Sequence, residues 1–150
     1  MALSKKQQAA LFAYADIFGA ISPDKLSPLR EMLSADVRFT DPFNQLAGPD
    51  AFIHVFEHMF EVMNNPHFEI LDIAQSAQAG YIKWRMTGDI ALKKPIAIDL
   101  TGMSEIHFDE NGLVCAHIDH WDSASQLLAH LPLIGGLFRP VMRRFSLPQK

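Results

Sequence analysis

A single cysteine, Cys115, leaves this chain unable to form an internal disulfide, which suits a reducing compartment. Basic charge is also scarce: 13 Lys and Arg stand against 17 Asp and Glu, for a formal net charge of −4 with the seven histidines neutral. A nucleic-acid surface needs a basic stripe that displaces counterions from phosphates, so that class of partner is not expected. No run of about 18 apolar residues is present to span a bilayer. Met1–Ala10, with Lys5, Lys6, Gln7 and Gln8, has no apolar run behind its charges, so no secretory signal is expected and the expected address is the cytoplasm. Glycine-rich phosphate loops are missing too, since Gly135-Gly136 lacks both the strand-turn-helix context and the lysine. His54 and His58 lie one helical turn apart without a His-Glu-x-x-His pattern, and Glu57 and Glu61 beside them suggest a solvated helix face. No metal and no cofactor are expected. What remains is 49% hydrophobic and 20% charged, with no repeat or linker to divide it, and residues 1–150 read as one globular domain.

Local patterns order the elements. Leu3 to Phe18 places Leu11, Tyr14, Ile17 and Phe18 at helical spacing, and Gly19–Ser22 ends that helix. Ser22-Pro23 and Ser27-Pro28 each fit a cap with proline behind it, the second opening a short helix through Leu33. Asp36–Asp41 alternates, which puts Val37, Phe39 and Asp41 on one face of a short strand that Pro42 stops. Gly48-Pro49-Asp50 starts a helix to Met63 whose stripe is Phe52, Val55, Phe56, Met59, Phe60 and Met63, and Asn64-Asn65-Pro66 reads as its stop. Strands are expected over about 67–77, 80–91, 95–108 and 113–122, with Asp109–Gly112 as a hairpin turn. Ser123 fits the cap of a helix through His130, and a basic, apolar segment follows Gly135-Gly136. Helices before a meander imply an α+β fold with the helices on the concave face of a curved, mostly antiparallel sheet.

Phe39-Thr-Asp-Pro-Phe43, Gly48-Pro-Asp-Ala-Phe52, Phe108-Asp-Glu-Asn-Gly112 and Asp119-His-Trp-Asp122 come in an order that resembles the nuclear transport factor 2-like superfamily. The closest likeness is to the branch of ketosteroid isomerases and SnoaL-type polyketide cyclases. It covers about Ala9 to Arg144 and implies a cone-shaped roll around a pocket, often dimeric. Fold alone does not choose a chemistry.

Asp41 is the first candidate. The aspartate of a similar Asp-Pro step is the general base of ketosteroid isomerases, and Phe39 and Phe43 would supply apolar surroundings that favour a base. The other reading is a turn cap around Pro42. Tyr14 matches the oxyanion-stabilising tyrosine of the first helix by resemblance, or is a core tyrosine bonded to a backbone carbonyl. The isomerases' protonated aspartate falls on Ser104 here, or on Met103 or Glu105 at a slip, which departs from the pattern. Cys115, His117, Asp119 and Trp121 share one face of the last strand, and Val114, Ala116, Ile118 and His120 the other. Facing inward, Asp119 is a rival base with His117 as its partner; facing outward, the aliphatic set is core. Phe39, Phe43, Phe56, Phe60, Trp84, Met86, Ile106, Trp121 and Ser104 are expected to line the pocket.

These residues suit a cofactor-independent enzyme that moves a proton beside a carbonyl of a small apolar ligand. The alternative is a non-catalytic ligand-binding or dimerising domain on the same scaffold. A homodimer is expected. Leu127–Phe145, with Arg139, Arg143 and Arg144, could lie on a membrane as an amphipathic segment, but its three arginines and two prolines favour packing over the cone mouth, the sheet's outer face or a second subunit.

Overall fold

The computed structural model describes residues 3–146. Its first helix, α1 (Lys5–Gly19), begins at a reciprocal cap. Ser4 Oγ accepts from the Gln7 amide at 3.2 Å while Gln7 Oε1 accepts from the Ser4 amide at 2.9 Å, so two otherwise orphaned donors are satisfied together. The Gln7 amide group also donates to the carbonyl of Asp109, tying the helix start to the turn between two distant strands.

Pro23–Lys25 forms a 3-10 turn and α2 (Leu26–Glu31) follows it at once. Ser27-Pro28 therefore sits in the first turn of α2 rather than capping it. Strand β1 (Leu33–Thr40) is longer than the alternation suggests, and a short β2 (Gln45–Ala47) pairs with it antiparallel. Helix α3 (Pro49–Val62) starts at Gly48, whose φ of +90° is open to glycine, with Pro49 at its first position.

The helix does not end in a loop. Strand β3 (Met63–Gln75) begins at the next residue and carries Asn64-Asn65-Pro66 inside it as a pairing irregularity, with Asn65 at φ +50°. Strands β4 (Gly80–Ile90), β5 (Ile96–Phe108) and β6 (Val114–His120) complete the antiparallel meander. Sheet order is β2-β1-β6-β5-β4-β3, and β1 runs parallel to β6. The turn into β6 is held by Asp109 Oδ1, which accepts from the Leu113 amide at 2.8 Å, and by Gly112 at φ +77°.

Helices α1 and α3 cover one face of this mixed sheet, which matches the expected α+β cone. Their apolar faces meet Val37, Phe39, Phe68, Ile82 and Ile106 in one core. Beyond β6, Asp122 rather than Ser123 caps the short α4 (Ser123–Gln126), because its Oδ1 accepts from the Ser125 amide. A 3-10 turn (Leu128–His130) and α5 (Ile134–Phe145) finish the described chain. No helix among the described residues is long and apolar enough to cross a membrane.

Candidate functional site

The parity of β6 decides what faces the cone. Ser104 pairs with Asp119 and Ile106 with His117, but His107 pairs with Ala116 while Phe108 pairs with Val114. Cys115 is skipped. A one-residue bulge of this kind restarts the alternation, so Val114 and His117 both point into the core although an odd number of positions separates them. Val114, expected opposite His117, is completely buried, as His117 and Ser104 are.

Inside, five side chains form one directed chain of hydrogen bonds. Trp84 Nε1, which can only donate, gives its hydrogen to Ser104 Oγ at 2.9 Å. Ser104 Oγ then donates to Asp119 Oδ1 at 2.5 Å. His117 Nε2 lies 2.8 Å from the same Oδ1, and His117 Nδ1 lies 2.7 Å from the Tyr14 hydroxyl. Burial, with the Asp119 charge adding to it, pushes the Tyr14 phenol well above its usual value, so the hydroxyl keeps its proton. Donation from Tyr14 to Nδ1 leaves the imidazole hydrogen on Nε2, aimed at Asp119, and every donor then has an acceptor. The imidazole is packed among Tyr14, Phe18, Phe39 and Phe52 at ring-centre distances of 5.3–5.9 Å, which fixes its plane.

Asp119 Oδ2 has no protein partner among the described residues, whereas no buried polar side-chain atom lacks one. That oxygen is therefore open. The Asp119 side chain is 13% exposed, and its open side is a cavity of about 530 Å³. Phe39, Phe56, Trp84 and Met86 line this cavity, with Phe43 and Trp121 packed edge to face at 5.8 Å. Gly102 makes the wall possible: a Cβ there would come within 2.6 Å of the Trp84 ring and 2.9 Å of Trp121 Cβ.

Asp41 also lines the cavity, but it stands past the end of β1 and its carboxylate is occupied. Oδ1 accepts from the amides of Phe43 at 2.7 Å and Asn44 at 2.6 Å, and the Asn44 side-chain amide lies 3.1 Å from both oxygens. This is the turn-cap arrangement that Asp-Pro favours. Tyr14, His117, Ser104, Phe60 and Ile106 do not reach the cavity wall. Tyr14 is bonded to His117, not to a backbone carbonyl and not aimed at a ligand. Phe60 belongs to the core side of α3.

The cavity side of α3 is turned from the expected stripe. His54, Val55, His58 and Met59 line it while Phe52 and Ile53 are buried behind, so the helix divides its apolar surface between core and cavity. His54 and His58, read from sequence as a solvated face, are indeed exposed, yet they stand on the rim. Among the described residues no three His, Cys, Asp or Glu side chains cluster as a metal site. Asn44 and Leu46 come from the corner and from β2, whose three residues are too few for alternation to reveal.

Known structures share this architecture at low identity. A protein proposed to be a SnoaL-like polyketide cyclase from Shewanella putrefaciens superposes with a TM-score of 0.66 at 16% identity, covering 83% of this chain and 98% of that one. A nuclear transport factor 2-like protein of unknown function from Burkholderia pseudomallei gives 0.68 at 16%, covering 81% and 95%. A protein proposed as a ketosteroid isomerase from Kribbella flavida gives 0.62 at 15%, covering 79% of each chain. At such identities the likeness shows the fold alone. No curated protein matches the chain. Residues 13–117 match the SnoaL-like domain, a span that takes in Tyr14, the Asp41 corner and His117 and stops just short of Asp119. With most of its length inside that match, the chain belongs to the SnoaL-like domain family.

Proposed function

We propose that this chain binds a small apolar molecule bearing carbonyl groups and moves a proton on a carbon beside them, with Asp119 as the base. One observation carries the reading: the Asp119 carboxylate is gripped on Oδ1 by Ser104 and His117 and left open on Oδ2 towards an apolar cavity. A base held in one orientation against a bound carbon acid is what proton abstraction needs, and no cofactor enters the step. Asp119 Oδ2 takes the proton while the carbanion charge moves to the carbonyl oxygen; Oδ2 then returns a proton, the original one or one exchanged with solvent, to that carbon or to a conjugated one as the carbonyl re-forms. His117 and Ser104 are positioning residues, since both act through Asp119, and Tyr14 sets the His117 tautomer.

The enolate oxygen finds few donors here. The Tyr14 and Ser104 hydroxyls are taken, which leaves the Trp121 indole N–H, without a protein acceptor among the described residues, and the rim imidazoles. So thin an oxyanion site suits a substrate whose C–H is already acidified by two flanking carbonyls. The polyketide-cyclase name of the Shewanella relative is consistent with that substrate class.

The test is proton exchange. Apolar β-keto esters of graded size are incubated with the protein in deuterium oxide and their α-deuteration is followed by mass spectrometry. Wild type is expected to exceed the buffer-catalysed rate, and Asp119→Asn to fall to that background while ligands still quench tryptophan fluorescence. Binding by wild type without exchange above background would make the cavity a carrier site and end the catalytic reading.

A further inference from the structure

The C-terminal helix presents a surface the cavity does not use. Only the first turns of α5 are anchored: the Gly135 amide donates to Leu131 O at 2.8 Å and Arg139 Nε to Ala129 O at 3.1 Å. Gly135 lies so close to that loop that a Cβ would sit 2.4 Å from Ala129 O. Further along, the side chains face outward. At about 100° per residue, Ile134, Leu137, Phe138, Val141 and Phe145 fall on one side of the helix, and Arg139 and Arg143 on the other. Arg144 borders the apolar side next to Leu137, and Pro140 falls on the polar side. The apolar side is bare, with Leu137 76%, Val141 59% and Phe145 86% exposed. Soluble monomers seldom leave a contiguous stripe of this kind open.

We infer that α5 docks in the plane of a lipid surface bearing anionic headgroups, its apolar side at the acyl boundary and its arginines among the phosphates. Charge selects this occupant. All 17 acidic residues of the chain precede Ser123, whereas Arg139, Arg143, Arg144 and Lys150 follow it. The helix is therefore a cationic amphipath on an acidic body, and the body's charge keeps other faces off an anionic bilayer. Its 12 residues are too short to span and suited to lie in the interface. A second copy is the poorer fit: α5 carries no acidic residue, so pairing α5 with α5 would bring two cationic helices together with no carboxylate on either to offset their arginines. The proposal is independent of the chemistry in the cavity.

The full chain is sedimented with vesicles of phosphatidylcholine alone and with equimolar phosphatidylcholine and phosphatidylglycerol. Binding to the anionic vesicles is expected to be at least roughly tenfold tighter and to weaken with added salt. Arg143→Glu with Arg144→Glu should lower it on the order of tenfold or more, and Leu137→Ser with Val141→Ser should abolish it. All four positions lie on exposed turns, and circular dichroism checks that the fold is retained. As an independent readout, Phe145→Trp should show blue-shifted emission with anionic vesicles only. The inference is overturned if the full chain stays in the supernatant with anionic vesicles, or if the double glutamate variant binds equally well. It is also overturned by a dimer in sedimentation velocity that Leu137→Ser with Val141→Ser dissociates without any vesicle binding, which would give the stripe to a second copy.

Discussion

Asp41 and Asp119 approach the same cavity from two corners of the sheet, and what holds each one separates their roles. At the β1–β2 corner, both Asp41 oxygens are engaged by its own turn, through Phe43 and Asn44. On β6, Asp119 is held through one oxygen by side chains from another strand and from its own, and the second oxygen is open. A carboxylate that closes a local turn contributes to the shape of the rim. A carboxylate held at a distance by buried donors, with an oxygen to spare, is equipped to exchange a proton. Motif resemblance alone ranks these two the other way round.

The largest effect that tests this contrast is on rate. Asp119→Asn should cost about 10²–10⁴-fold in α-proton exchange, against only a few-fold for Asp41→Asn. Parallel exchange assays on the two variants decide it, and an equal loss would erase the distinction. Next is the wall: Gly102→Ala should destabilise the fold by about 1–3 kcal/mol in urea unfolding and weaken binding of the larger ligands, because the Trp84 and Trp121 side chains must move apart. Asp41→Ala should cost about 1–2 kcal/mol of unfolding free energy by freeing the turn amides, with exchange nearly intact.

The smallest effect is spectroscopic. Burial holds the Tyr14 phenol above its usual 10.0, so the folded protein retains a proton that the unfolded chain gives up. Above about pH 10 the unfolded state binds fewer protons than the native one, and stability falls as pH rises. Near-ultraviolet titration should therefore show no Tyr14 ionisation before unfolding, and Tyr14→Phe should leave the curve below that transition unchanged. A tyrosinate signal lost in Tyr14→Phe while the protein is still folded would mean that Tyr14 is not sealed against His117.

Much of this fold was legible because long elements repeat their signals. The α1 stripe, the Gly48-Pro49 helix start and the Asp109–Gly112 turn each rest on local backbone chemistry, and the structure places them within a few residues. The relay was half legible. The interest of His117 and Asp119 follows from two polar residues at strand spacing, but that Ser104 stands opposite Asp119 depends on register between strands, which no local pattern states. Tyr14 was visible as a buried tyrosine in need of a partner, while the identity of that partner is a contact across 103 positions. Asn64-Asn65-Pro66 misleads for the opposite reason: residues that usually mark a loop are carried in a strand by a pairing irregularity.

Cys115 gives that register a further consequence. Because the pairing with β5 skips it, this position behaves as a phase marker, and the meaning of "every second residue" is reset there. Exchanging its side chain leaves the phase intact. Removing the residue would tend to put the strand in the other phase, so that either Val114 leaves the core or His117 and Asp119 turn to solvent together. A lineage carrying this fold can thus gain or lose the whole relay by one codon's insertion or deletion, a change that no series of single substitutions along the strand reproduces.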